Sequence, residues 1–266
     1  MSHPSISSQE EYLQMEYEKK VRIRFYQIAL FLLLLFLWEF ASSFKIINPF
    51  IFSSPSRIIQ CFCSMLVDKT LFLHIGVTLS ETLISFSLVF FISLLFAILL
   101  WWNDTLSSIL EPYLVVLNSL PKSALAPILI VWLGNNMKTI IIAAISVAVF
   151  GSILNLYTGF CHVEPDKLKL IQTLKGTKLD CLKLVVLPSS VPLFISIMKV
   201  NIGLSLVGVI IGEFLAAKSG LGYLILYGSQ VFKLDWVLMS IVLLCIIAMG
   251  LYAFINFIEK LYFRQF

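Results

Sequence analysis

Long apolar stretches alternate with short polar joints along most of this chain. Six of them cover residues 25–44, 76–102, 109–133, 137–159, 190–214 and 236–258. A helix needs about 20 mainly apolar residues to cross the hydrocarbon core of a bilayer. Backbone groups in hydrocarbon must be satisfied within the segment, so each stretch is predicted to be a membrane-spanning helix. The third is expected to be kinked or broken, because Pro121 and Pro127 interrupt it and Lys122 lies between them. Trp38, Trp101, Trp102, Trp132 and Trp236 fall mostly near predicted span ends, where interfacial aromatics belong.

Two joints are long enough to hold structure. In the first, residues 45–75, Pro55 and the apolar spacing after it predict a short interfacial helix. In the second, residues 160–189 (FCHVEPDKLKLIQTLKGTKLDCLKLVVLPS), Leu168, Ile171 and Leu174 are spaced for a short amphipathic helix. Gly176 should end it, and a second short helix should run to Pro188.

Composition agrees with a membrane protein. Of 266 residues 59% are hydrophobic and 13% charged, with a mean hydropathy of +0.97. Soluble domains carry about 45–50% apolar and about 25% charged residues. The polar segment 1–24 reads as a tail without a signal-peptide pattern, and 25–266 as one transmembrane domain. With the N-terminus inside, the inner joints hold Lys19, Lys20, Arg22, Arg24, Lys167, Lys169, Lys175, Lys178, Lys183, Lys260 and Arg264. The outer joints hold only Lys45, Arg57, Lys69, Lys138, Lys218 and Lys233. That bias, with an even number of spans, places both termini in the cytoplasm. The five cysteines show no metal or CxxC spacing, so no metal site is expected.

Charges inside apolar spans are rare and read first as functional. Here they are Glu39, Glu81, Lys122, Lys199 and Glu213. Glu39 lies near the end of its span, within reach of water, and the long stem of Lys199 could snorkel. Lys122, flanked by Asn118, Ser119 and Ser123, either lines a polar pathway or only secures the break in the third span. Asn201 and Ser205 either face the same cavity or join helices. Gly208 and Gly212, four apart, form a small-residue face for close helix packing. Glu213 follows them in GEFLAAKSGLGYLI and, with Gly220 and Gly222, reads as part of an outer gate or its scaffold. The Gly-x-Gly is no phosphate loop, since no strand precedes it.

Four ordered motifs carry a family resemblance: HIGVTLSETLISF (74–86), SLPKSALAPILIVWLG (119–134), TLKGTKLDCLKLVVLPSSVP (173–192) and GEFLAAKSGLGYLI (212–225). Together they resemble the membrane-spanning permeases of bacterial binding-protein-dependent ABC importers, in the branch serving nitrate, sulfonates and taurine. The resemblance implies an all-α polytopic bundle of about six spans in the cytoplasmic membrane. It also implies a second permease copy, two separate ATPase subunits that bind ATP and magnesium, and an extracytoplasmic solute-binding protein. No cofactor and no nucleic acid is implied for this chain. Residues 160–189 take the place of the family's coupling segment, which docks on the ATPase. The Glu-Ala-Ala…Gly signature falls on Lys169, Leu170, Ile171 and Lys175, with the glycine one place late at Gly176; LVVLP, ending at Pro188, is intact. Lys167, Lys169, Lys175 and Lys178 suggest an acidic groove on the partner. Lys122 alone suggests an anionic solute.

Two other classes are weighed against this. An intramembrane enzyme finds no support: HExxH is absent, GLSLVG (203–208) is not GxSxG, and no paired acids sit one helical turn apart in a span. A self-sufficient secondary transporter would be small at six spans and should show an inverted repeat. GxxxxGK[ST] is absent, so an ATP-driven chain needs a partner ATPase.

Overall fold

In the computed structural model, which describes residues 8–264, every described element is a helix. Residues 1–7 of the expected tail and the side chain of Arg264 lie outside the described set. The chain forms two compact units, residues 1–63 and 64–266.

The first unit holds α1 (Ser8–Ser43), α2 (Pro49–Phe52) and most of α3 (Pro55–Val67). α1 runs unbroken through residue 24, so the polar tail and the first span share one helix. Asn48 caps α2 by accepting from the Phe50 N–H at 3.0 Å. Pro55 opens α3, as expected. Glu39 is not simply wetted: its two oxygens accept from the Ser56 N–H at 3.0 Å and the Ser56 hydroxyl at 2.7 Å. A carboxylate there satisfies an orphan donor at the start of α3.

The second unit contains α4 (Thr70–Trp102), the pair α5 (Asp104–Ser119) and α6 (Lys122–Leu133), α7 (Met137–Cys161), α11 (Val191–Ala216), α12 (Leu221–Gln230) and α13 (Leu234–Arg264). The joint between α7 and α11 holds α8 (Pro165–Thr173), α9 (Lys178–Cys181), a π-helical turn (Leu182–Val186) and α10 (Leu187–Ser189). α1, α4, α7, α11 and α13 are each long and apolar enough to cross a membrane, and α5–α6 makes a sixth crossing if taken as one span. Counted that way, they match the six expected spans.

α5 and α6 meet at 94°. Leu120 precedes Pro121 and is extended (φ −63°, ψ 141°), as pre-proline sterics demand. Pro121 therefore breaks the span, whereas Pro127 is accommodated within α6.

α7 is the hub, packing on α4, α5, α6 and α11. α4 turns Thr78, Thr82, Ser85 and Ser93 inward, leaving large apolar side chains such as Phe91 and Leu95 outside. That is the inversion expected where lipid is the solvent. Lys199 does not snorkel: its ammonium lies 2.5 Å from Glu259 Oε2, joining α11 to α13 as an ion pair. In a low-dielectric setting a paired charge costs far less than a lone one.

The α7–α11 seam is set by glycine. A Cβ on Gly208 would stand 2.6 Å from Ala144 Cα, and one on Gly212 would stand 3.0 Å from Ile140 Cα. Both obstacles are backbone, so a methyl group can enter only by pushing the helices apart. Gly208→Ala should therefore destabilise the protein by about 1–3 kcal/mol, the usual cost of overpacking. Gly203→Ala on the same helix, with nothing within 4 Å of the new Cβ, should not. Thermal unfolding of the two variants in detergent or nanodiscs compares them directly.

Candidate functional site

Away from that seam, α7 and α11 border a cleft of about 450 Å³. α7 contributes Gly151, Ser152, Asn155, Thr158, Gly159 and His162; α11 contributes Leu193, Ser196, Ile197, Val200, Asn201 and Leu204. On each helix these positions recur every three or four residues, which makes one face. The Ser152 hydroxyl donates to Asn201 Oδ1 at 2.6 Å, while the buried Asn201 Nδ2 has no partner among the described residues. Asn201 thus both joins helices and lines the cleft. Ser205, a turn further on, is fully buried and does not line it.

The polar cluster at the α5–α6 bend divides. Asn118 packs on Gly151 at the cleft edge, its Oδ1 3.1 Å from where a Cβ would stand. The Ser119 hydroxyl donates to the Val115 carbonyl at 2.9 Å, and Ser123 is exposed. The Lys122 ammonium donates to the carbonyls of Leu117 (2.8 Å) and Asn118. It caps the end of α5, satisfying carbonyls that the break leaves without helical partners. Its charge is directed at the bend, so it gives little reason to expect an anionic solute.

Beneath the cleft lies the α7–α11 joint. A second cavity of about 240 Å³ shares Gly159, His162 and Leu193 with the cleft and reaches Glu164, Lys167 and Ser190 of the joint. α8 begins with Pro165 at its first turn and exposes Leu170 and Leu174. Its end is a Schellman motif: the Gly176 N–H donates to the Ile171 carbonyl at 2.9 Å and the Lys175 N–H to the Gln172 carbonyl at 2.9 Å. That motif puts one residue in the left-handed region, and it is Lys175, with φ 61°. Gly176 is needed for a different reason, since a Cβ there would stand 2.4 Å from Ile171 Cγ2 and 2.9 Å from the Ile171 carbonyl oxygen.

Thr177 then caps α9 in a reciprocal box. Asp180 Oδ2 accepts from the Thr177 N–H at 2.7 Å and the Thr177 hydroxyl at 2.6 Å, which holds the Asp180 carboxyl below the usual carboxylate range. Pro188 cannot donate back to the preceding turn, and the helix before it widens into a π turn over Leu182–Val186.

Of the four lysines expected to face an acidic groove, three already have partners. Lys167 pairs with Glu164 at 3.2 Å and Lys169 with Asp166 at 3.5 Å. The Lys178 ammonium donates to the Trp102 carbonyl at 2.8 Å and lies 5.5 Å from the Trp101 ring centroid, tying the segment to the end of α4. Leu182, Val185 and Val186 are buried in one core with Ala97 of α4, Leu156 and Phe160 of α7, and Ile197 of α11.

The other end of the bundle holds the two-glycine turn. Glu213 is 1% exposed. Its Oε1 accepts from the Thr78 hydroxyl at 2.7 Å; its Oε2 accepts from the N–H groups of Gly222 at 2.6 Å and Tyr223 at 3.3 Å. Thr78 Oγ1 in turn accepts from the Leu221 N–H at 2.8 Å, and His74 Nδ1 from the Gly220 N–H at 2.9 Å. The first-turn donors of α12 are thus capped from α4 and α11, because Gly220 at the N-cap has no side chain to do it. A Cβ on Gly220 (φ 121°) or Gly222 would meet the Glu213 carboxylate at 2.3 Å or 2.8 Å. Both glycines are there to let the carboxylate in. Glu81, 2% exposed, lies beside Glu213 within hydrogen-bonding reach.

Asn155, Thr158, Ser196, His162, Thr78 and His74 were not singled out from the sequence. The polar stripe 151, 152, 155, 158, 159 and 162 on an otherwise apolar helix is the signal that could have found the first group.

Comparison with known proteins agrees with this architecture. A probable ABC transporter permease of Haemophilus influenzae is 28% identical over 85% of this chain and 91% of its own length. The formylaminopyrimidine transport permease ThiX of Halalkalibacterium halodurans is 28% identical over 73% of this chain and 76% of its own. The taurine permease TauC of Escherichia coli is 22% identical over 81% and 80%. Among solved structures, a chain of the MetNI methionine ABC transporter in an inward-facing conformation superposes with a TM-score of 0.63 at 16% identity. That superposition covers 73% of this chain and 96% of the MetNI chain, and it shows a shared fold. The profile of the binding-protein-dependent transport system inner membrane component matches residues 75–265, and this chain belongs to that family of ABC importer permeases, inner-membrane proteins with nitrate, sulfonate and taurine branches.

Proposed function

We propose that this permease pairs with a second copy to enclose the solute pathway, with the α7–α11 cleft as each copy's share. ATP and magnesium are bound by a separate ATPase that docks on residues 160–189. A solute-binding protein delivers from the other face, and both termini lie in the cytoplasm. No chemistry takes place in this chain. The observation that carries the reading is the continuous core from Leu182, Val185 and Val186 to α4, α7 and α11. A packed core transmits displacement because it does not compress. A push on the segment moves the walls of the cleft, and the glycine seam at Gly208 and Gly212 is the pivot about which α7 and α11 rock.

The exposed groups on the docking face are Leu170 and Leu174, which stand near the family's alanine position and the end of α8. Exposed lysine–carboxylate pairs contribute at most about 1 kcal/mol. The partner groove is therefore chiefly apolar where it meets α8, with charge a secondary feature. The cleft sets the hydroxyls and amides of Ser152, Asn155, Thr158, Ser196 and Asn201 beside apolar Leu193, Ile197, Val200 and Leu204, with His162 at its inner end. That lining suits a small polar solute held by hydrogen bonds, such as the formylaminopyrimidine of the ThiX relative, better than a solute that needs a fixed cation.

Cells carrying the complete transporter should take up labelled formylaminopyrimidine in preference to taurine; equal uptake, or a preference for taurine, would remove the substrate argument. Val186→Asp should abolish uptake while the chain still inserts, since it places a charge in the transmitting core; normal uptake would sink the mechanical reading. Leu170→Asp with Leu174→Asp should reduce ATPase co-purification by about tenfold or more, as loss of buried interface anchors does, and more than Lys169→Glu does. Lys175→Gly relieves a left-handed Cβ worth about 1 kcal/mol. It should slow amide exchange at Gly176 and leave uptake intact.

A further inference from the structure

Two buried carboxyl groups are joined at the end of the bundle remote from the coupling segment. Glu81 of α4 is 2% exposed and Glu213 of α11 is 1% exposed, and their side chains hydrogen-bond to each other. An ionised carboxyl group only accepts, so a hydrogen bond between two of them needs a proton on one. Their other partners show which. Glu213 accepts from the Thr78 hydroxyl and from the Gly222 and Tyr223 N–H groups, donors that suit a carboxylate. Glu81 Oε2 meets no donor among the described residues. A buried charge with an orphaned oxygen costs far more than a neutral acid that donates. The proton therefore belongs on Glu81, whose O–H donates to Glu213.

We propose that Glu81 is held as a neutral acid whose proton latches α4 to the turn between α11 and α12, making this end of the bundle a pH-sensitive clasp. Ionisation of Glu81 removes the donor and sets two like charges side by side, which drives α4 from the turn. Glu213 also caps Gly222 and Tyr223, so loss of the proton loosens the start of α12. The other titratable groups around the pair do not replace that proton. His74, on α4 itself, accepts the Gly220 N–H through Nδ1, so that nitrogen carries no proton. Tyr223 of α12 stacks on His74, and Tyr227 stacks on Tyr223. Lys218 of the turn and Lys138 at the start of α7 are exposed. Lys199 of α11 is paired with Glu259, and the acids of α5, Asp104 and Glu111, follow the far end of α4. The latch is separate from the α7–α11 cleft and does not depend on which solute that cleft conducts.

Infrared spectra of the full chain in nanodiscs, with isotope-labelled glutamate, test the proton directly. At neutral pH the unaltered protein should show the C=O band of a protonated glutamate, and Glu81→Gln should lack it. Thermal unfolding tests the linkage to folding. Unfolded, a glutamate is ionised above about pH 4.3, whereas the folded chain keeps the proton on Glu81. One extra proton bound by the folded state lowers the folding equilibrium constant about tenfold for each unit rise in pH. Between about pH 5.5 and about pH 7.5 the unaltered protein should therefore lose several degrees more of Tm than Glu81→Gln. The Gln amide can still donate to Glu213 but does not titrate, and the histidines are common to both proteins. At the alkaline pH where the band disappears, the Gly222 and Tyr223 amides should lose exchange protection in the unaltered protein and keep it in Glu81→Gln. No protonated band at neutral pH, a band that survives in Glu81→Gln, equal losses of Tm, or undiminished protection once the band is gone overturns the proposal. The band is read in the unaltered protein, so it decides even if Glu81→Gln fails to fold.

Discussion

Inside a bilayer no water completes an unfinished hydrogen bond, so each polar group must find its partner within the protein. That constraint explains four of the five charged side chains read in the spans, Glu39, Lys122, Lys199 and Glu213. Glu213 caps α12 across three helices, Lys122 caps α5 where Pro121 ends it, and Lys199 neutralises Glu259 between α11 and α13. Glu39 does similar work at the start of α3 in the first unit. None of these needs a substrate to account for it. Once they are set aside, the buried polar atoms left without partners include Glu81 Oε2 and Asn201 Nδ2.

This sorting changes how charge in the spans should be weighed. An intramembrane lysine reads first as a ligand for an anion. Lys122 instead faces carbonyls that a proline-broken helix cannot satisfy, and the break and the cation come as a pair. Glu213 likewise comes with two glycines, because a carboxylate that caps from outside needs backbone without Cβ atoms against it. In both places a residue that looks functional alone becomes structural beside its neighbours, and the neighbours are close in sequence.

Legibility followed the same logic. Spans were readable because length and apolarity are local properties, and the bend was readable because proline acts on its own backbone. The helical joint between α7 and α11 was readable from LVVLP, and its helix break from Gly176. The left-handed residue proved to be Lys175, since the Schellman geometry fixes the conformation by position rather than by residue type. Less readable was anything set by packing between helices. The capture of Lys178 by Trp102 spans 76 residues, and that of Leu221 by Thr78 spans 143. No periodicity announces such pairs. The lysine density of residues 167–178 suggested an acidic partner because the i,i+3 spacing of Glu164 with Lys167 and of Asp166 with Lys169 was not weighed.

The unequal ends of the α7–α11 pair bear on how such a permease can move. From Ile140 to Ala144 on one helix and Gly208 to Gly212 on the other, backbone meets backbone with no room for a methyl group. From Gly151 to His162 and from Leu193 to Leu204 the helices meet through side chains instead, Ser152 on Asn201 and Leu193 over Gly159, with an open cleft beside them. Side chains can change rotamer where backbone contact allows no such adjustment. On the reading proposed above, a load applied through Val186 and Phe160 acts at this adjustable end, next to the cleft it must reshape. Alternating access would then need no hinge loop, because one helix pair supplies both a fixed point and a moving arm.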